Sequence, residues 1–204
     1  MDTRQTPPNH HADYHGFKGI AGLVAALSMS FGRKGDAQLA VKLSCMRAGD
    51  RVVDVGCGPG VAVRYAARRG ATVTGVDPAP VMLRVARLLT RSPGKVRYAG
   101  GVAEEIPLPA DSVSVVWSIA TVHHWSDIDA GLREVRRVLL PDGRLVAMER
   151  SAAPGARGHG SHGWTDEQAN AFADRCREDG FRNVRVERAT IGRRSTVSVV
   201  TSET

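Results

Sequence analysis

The run Arg51-Val52-Val53-Asp54-Val55-Gly56-Cys57-Gly58-Pro59-Gly60 gathers the residue types that seat a cofactor. An apolar strand, Val52 to Val55, enters a turn built almost wholly of glycine and proline, and a helical pattern follows at once. Glycine belongs where the backbone takes positive φ or lies close against a ligand. N–H groups in such a turn, next to a helix N-terminus, are a place for anionic or polar groups. The arrangement predicts a nucleotide-like cofactor at the end of the first strand of an open α/β sheet. The dinucleotide fingerprint G-x-G-x-x-G fits imperfectly, since its third glycine would fall on Val61, whereas the third glycine here is Gly60. Asp54 ends the strand with a carboxylate, which repels a diphosphate and attracts an ammonium group.

Further acids and turns follow in order. Thr72 to Asp77 reads as a second strand ending in an acid, about 20 residues past the loop, where a carboxylate accepts hydrogen bonds from ribose hydroxyls. Pro78 and Met82 open the next helix, and Val96 to Gly100 is a third strand. Gly101-Val102-Ala103-Glu104-Glu105-Ile106-Pro107-Leu108-Pro109 is a loop, and Ser112 to Trp117 a fourth strand, with Ser118 to Trp125 at its C-terminal end. From Arg51 to Glu149 the chain resembles the class I S-adenosylmethionine-dependent methyltransferases, and most of all the small-molecule enzymes of ubiquinone and menaquinone biosynthesis. The resemblance implies S-adenosylmethionine as cofactor and S-adenosylhomocysteine as product. It implies contacts from Asp54, Gly56, Cys57, Gly58, Gly60, Asp77 and Ser118, with Pro78 and Met82 against the adenine ring. Val102, Ala103 and Glu104 match the adenine-edge motif, with one departure. The family often has Asp where this chain has Val102, which leaves the Ala103 backbone or the Glu104 side chain to meet the adenine amino group. No Asn-Pro-Pro-Tyr-like motif follows the fourth strand, which argues against methylation of nucleobase amino groups.

Methyl transfer from a sulfonium is an in-line displacement with a neutral leaving sulfide, so much of catalysis is placement of the acceptor atom. A base is needed only where the acceptor must lose a proton. His123 and His124 stand where such a base would act; the alternative is that they are scaffold, one imidazole capping a helix or packing beneath the cofactor. Tyr14 and His15 are further candidates, because they adjoin the predicted lid.

The elements that would position these groups make an α/β fold: a Rossmann-like seven-stranded sheet, parallel but for an antiparallel last strand, flanked by helices. Ser126 reads as the N-cap of a helix from Asp127 to Leu140. Leu140 to Arg144 reads as a turn and Leu145 to Glu149 as the fifth strand. Thr165 caps a helix to about Asp179 that Gly180 ends. Val184 to Ala189 and Thr196 to Thr201 alternate as two strands, which the resemblance places as a hairpin with the last strand beside the fifth. Ile20 to Phe31 is uncharged but too short to span a bilayer. It reads as a helix that, with a second from Asp36 to Met46, caps the pocket. One domain is expected over 1–204, with a cap at 1–49, a cofactor-binding core at 50–149, and a linker, helix and hairpin at 150–204. The short linker after the fifth strand leaves the cap to form most of the acceptor pocket.

The chain has 204 residues, 28 Lys and Arg against 21 Asp and Glu, and a formal charge of +7. That balance can suit RNA or an anionic membrane surface, but the basic residues are spread along the chain with no long run, which favours an arginine-rich composition as its source. Cys45, Cys57 and Cys176 form no C-x-x-C pair, so neither a metal site nor a disulfide framework is expected, in keeping with a reducing cytoplasm. The expected function is methyl transfer to O, N or C of a small-molecule acceptor. An RNA methyltransferase, a catalytically inactive cofactor-binding protein and an NAD oxidoreductase are the competing readings. A homodimer is left open.

Overall fold

The computed structural model describes residues 34–91, 93–155, 163–191 and 195–204. Short valine-rich strands alternate with helices: α1 (Lys34–Leu43), β1 (Arg51–Val55), α2 (Val61–Ala67), β2 (Thr72–Val76), α3 (Pro80–Leu89), β3 (Val96–Ala99), β4 (Val113–Ile119), α4 (Ile128–Val138), β5 (Leu139–Arg150), α5 (Asp166–Glu178), β6 (Arg182–Ile191) and β7 (Ser195–Glu203). The strands form a seven-stranded sheet in the order β3-β2-β1-β4-β5-β7-β6. The first five pair in parallel, and β7 lies antiparallel between β5 and β6. Successive strand residues face opposite sides, so each strand feeds two cores. Val53, Leu145 and Ala147 join Leu132 and Val135 of α4 and Phe172 of α5. Val52, Trp117 and Met148 join Ala37 and Ala40 of α1 and Val63 and Ala66 of α2 on the other face.

The chain order reverses between β1 and β4, which creates the crevice where such sheets bind ligands. A polar knot ties the end of α1 to the opposite edge of the sheet, near the starts of β1 and β4. Arg144 of β5 donates to the Ser44 carbonyl at 2.8 Å and to Asp50 at 3.0 Å, and the Trp117 indole N–H donates to the Ser44 hydroxyl at 3.2 Å.

Several boundaries differ from the sequence expectation. β4 continues through Ser118 and Ile119 because both backbones pair with β5. The cap of α4 is Asp127, which accepts from the Ala130 N–H at 2.9 Å, while Ser126 bonds to Glu104 instead. The expected turn at Leu140 to Arg144 is absorbed into β5 as a bulge: pairing steps from Val113↔Leu139 to Val115↔Arg144, and Asp142 takes φ 61°. β6 and β7 outrun the predicted hairpin because they pair along their whole length. Thr165 and Gln168 form the capping box of α5. The predicted helix over Ile20 to Phe31, and the candidates Tyr14 and His15, lie outside the described residues.

Candidate functional site

A crevice of about 760 Å³ opens at the C-terminal ends of β1, β2, β4 and β5. The glycine loop forms one wall, and its backbone donors do not point where the sequence suggested. The Gly56 and Cys57 N–H groups donate to the Val76 carbonyl at 2.8 and 3.0 Å, and that of Gly60 to the Cys57 carbonyl at 3.0 Å. The Gly58 N–H donates to the Asp77 carboxylate at 2.8 Å. These four donors turn inward, so the loop is a packed wall and not a cradle for phosphate. Glycine is required at two of these positions by space as well as by φ. Both Gly56 and Gly60 take φ 76°; a Cβ on Gly56 would overlap the Thr121 side chain, and one on Gly60 the Tyr98 hydroxyl. Gly60 therefore serves helix–strand packing and does not itself line the crevice.

Two carboxylates face this wall. Asp54, only 2% exposed, and Asp77, 7% exposed, both line the crevice. Asp77 accepts from Gly58 through one oxygen and from the Ala79 N–H through the other at 2.8 Å. Each carboxylate oxygen has a second lone pair, so Asp77 can hold the loop and still accept from a diol. Burial pushes its carboxyl up from the usual range, opposed by those two amide bonds. The Cys57 thiol is pushed well up by burial and by the nearby Asp54 and Asp77 charges, which keeps it neutral.

Pro78, Met82, Val102 and Ala103 line the crevice beyond Asp77. Met82 is buried with Val85 against Ala79 and Val81, so it is core and wall together. Glu104 also lines the crevice, but its Oε1 accepts from the Ser126 hydroxyl at 2.8 Å and from the Asp127 N–H at 3.0 Å. That oxygen holds the start of α4, so it is engaged within the fold. Ser118 lies fully buried outside the lining. Its hydroxyl meets that of Thr121 at 2.7 Å, and Thr121 donates to the Val55 carbonyl at 2.9 Å. Ser118 thus supports the loop after β4 from beneath and is not a wall residue.

That loop reverses sharply. Ala120 takes φ 56°, a left-handed value uncommon for a residue with a Cβ, and Val122–His124 follows as a single 3-10 turn. Buried Val122 and Trp125 anchor its two ends, Trp125 packing edge-on to Phe172 with centroids 6.2 Å apart. Between them His123 is 7% exposed and His124 is exposed, and both line the crevice. The sequence reading missed their neighbour. Glu149, 1% exposed, ends β5 with both carboxylate oxygens 3.0 Å from Nδ1 of His123. Its signal was the one that marked Asp54: an acid closing an apolar strand at the ligand-binding edge of the sheet. Asp36 of α1 and Arg150 complete this end of the crevice. Among the described residues no group of three His, Cys, Asp or Glu side chains could hold a metal ion, and no helix is long and apolar enough to cross a membrane.

The sheet order with its antiparallel β7, and the acid-bearing crevice at the switch point, define the S-adenosylmethionine-dependent methyltransferase fold. Residues 53–147 match the family model described as a methyltransferase domain. A demethylmenaquinone methyltransferase of Tropheryma whipplei is 37% identical over 114 residues, 55% of this chain and 46% of that protein. The 27-O-demethylrifamycin SV methyltransferase of Amycolatopsis mediterranei is 33% identical over 141 residues, 66% of this chain and 47% of that protein. The chain thus matches about half the length of these curated relatives. The crystal structure of an S-adenosylmethionine-dependent methyltransferase from Aquifex aeolicus superposes with a TM-score of 0.74 at 19% identity, over 89% of this chain and 97% of that one.

Proposed function

We propose that this protein transfers a methyl group from S-adenosylmethionine to a small-molecule acceptor. The observation that carries this reading is the charge pattern of the crevice. Two carboxylates, Asp54 and Asp77, face it while the amides of the glycine loop turn inward. Such a wall suits an ammonium and a ribose diol and is poorly made for a diphosphate. In this reading Asp54 holds the amino group of the methionine tail, and Asp77 accepts from the ribose hydroxyls. Pro78, Met82 and Ala103 flank the adenine. When bound, S-adenosylmethionine supplies a methyl group on a positively charged sulfur. The chain's own work is to hold the acceptor in line and to keep water from the reacting atoms. In this reading α1 forms part of a cap over the pocket, and Asp36, which lines the crevice, supports that assignment.

Isothermal titration tests the reading. S-adenosylmethionine and S-adenosylhomocysteine should each bind with one-to-one stoichiometry, and NAD should give no heat. Tight binding of NAD with none of the sulfonium donor would overturn it.

A further inference from the structure

α3 begins at the crevice, where Pro78, Ala79 and Pro80 line the wall, and its ten residues run back about 15 Å toward the opposite edge of the sheet. α2 likewise starts at the glycine loop and ends at Ala67. The pairing of Val73 with Val96 sets the segment entering β2 beside the segment entering β3. One corner, remote from the crevice, therefore gathers five exposed cations: Arg68 and Arg69 after α2, Arg87 and Arg91 around the end of α3, and Lys95 in the 3-10 turn Pro93–Lys95. Between Val61 and Ala103 the one acid is Asp77, which is buried in the crevice. Among the described residues none of these five cations pairs with a carboxylate. The helix dipole favours cations at the C-terminal ends of α2 and α3, but it gives no reason for the side chains that stand among them. Leu88 is 83% exposed and Leu89 41% exposed, two of the three exposed large hydrophobic residues described. Arg84, Arg87 and Leu88 share the outer face of α3, opposite buried Met82, Val85 and Ala86.

We propose that this corner docks the protein on an anionic lipid surface. The cations meet the phosphate headgroups, and Leu88 and Leu89 enter the boundary between headgroups and acyl chains. Charge and apolar area are both needed for this, and each is present in the same patch. A second copy of the chain is repelled there by like charge. Single-stranded RNA calls for exposed aromatic rings on which bases stack. Here Tyr65 is buried, and Tyr98 is half-buried with its hydroxyl 3.0 Å from that of Thr90. The contact is peripheral, since no helix among the described residues is long and apolar enough to cross a membrane. It lies at the opposite edge of the sheet from the crevice, so docking leaves the crevice open and does not depend on the methyltransferase reading.

The test floats the full chain with vesicles of phosphatidylcholine, alone or mixed in equal parts with phosphatidylglycerol. Mixed vesicles should bind it about ten-fold or more tightly than neutral ones, and raising the salt from about 0.1 M to about 0.5 M should weaken that binding. Arg91→Glu combined with Lys95→Glu should remove the preference, with unchanged circular dichroism. The charge-matched control, Arg133→Glu combined with Arg185→Glu, alters exposed arginines outside the corner and should keep it. Leu88→Trp puts a fluorophore on the apolar tip, where it can be read because Trp117, Trp125 and Trp164 are buried. Its emission should shift to the blue on mixed vesicles. Equal binding to both kinds of vesicle, an equal loss in the control, or binding with unshifted Leu88→Trp emission would each overturn the proposal. Binding of a single-stranded RNA, lost in the double variant of the corner and without any vesicle binding, would overturn it in favour of nucleic acid. Failure of S-adenosylhomocysteine to bind in calorimetry would remove the methyltransferase reading and leave this one standing.

Discussion

Asp77 serves two ends of the same cleft. It fixes the glycine loop through Gly58 and the start of α3 through Ala79, and on the proposed reading its remaining lone pairs accept from the ribose hydroxyls. Asp77→Ala is predicted to weaken S-adenosylhomocysteine binding by about 1–3 kcal/mol, the cost of leaving hydroxyls without a charged acceptor. Unchanged affinity by calorimetry would place the ribose elsewhere. Gly58 sits at φ 51°, where a β-branched side chain is a genuine outlier. Gly58→Val should abolish cofactor binding while the far-ultraviolet circular dichroism of the sheet persists; retained binding would count against the loop's role. Asp54, Asp77, Gly56 and Gly58 were legible as crevice residues because each lies within a few residues of the strand that presents it. Glu149 was not, since its partner is 26 positions away and only the parallel pairing of β4 with β5 brings them together. Ser118 misled for a related reason: position along the chain marked the right end of β4, but the alternation of faces turned its hydroxyl beneath the wall.

A clamp between α4 and the loop after β3 shows how one helix disciplines another segment. Glu134 accepts from the Ile106 N–H at 2.9 Å, and Arg137 donates to the Leu108 and Ile106 carbonyls at 2.8 and 2.9 Å. The two side chains also bond to each other in a bidentate pair. The loop so held carries Val102, Ala103 and Glu104 to the crevice. The Arg137 guanidinium, bonded to Glu134, holds that carboxyl below its usual range, aided by the Ile106 amide and opposed by partial burial. A lowered folded value means that the unfolded chain binds more protons in the acid range. The clamp's stability is therefore present above the unfolded value, about 4.3 for Glu, and is lost as pH falls through the folded one. Glu134→Gln should cost about 1 kcal/mol at neutral pH and flatten this acid slope, read from denaturant midpoints across pH; an unaltered slope would show that the clamp contributes nothing. Such long-range pairs explain where sequence patterning stopped. Helix and strand identities followed from period and caps, but the start of α4 and the bulge in β5 are set by partners such as Glu104 and β4, which no local pattern reveals.

The formal charge of +7 bears on partners only through where the cations sit, and six arginines of the described residues are placed by acids. Arg144, Arg175, Arg177, Arg182 and Arg188 each pair with an aspartate, and Arg137 with Glu134. Exposed pairs of this kind add little stability, yet they scatter the cations over the helices and the β6–β7 hairpin, away from the crevice walls. A nucleic-acid groove would instead gather them along one track. The crevice is lined by five carboxylates, Asp36, Asp54, Asp77, Glu104 and Glu149, against one arginine, Arg150, and a ligand with a cationic tail should tighten the whole sheet, because the crevice joins β1, β2, β4 and β5 at their ends. Any ligand that binds only the folded state stabilises it by mass action, by about 2.7 kcal/mol at a hundred times its Kd. For a chain of this size that is a rise in melting temperature of roughly 5–11 °C. S-adenosylhomocysteine should produce this rise in the wild-type chain and lose most of it at the same concentration in Asp77→Ala. NAD should produce none. An equal rise with NAD, or a rise indifferent to Asp77, would mean that the crevice is read by a different ligand, since the inward-turned loop and the two acids make opposite demands on a diphosphate and a sulfonium.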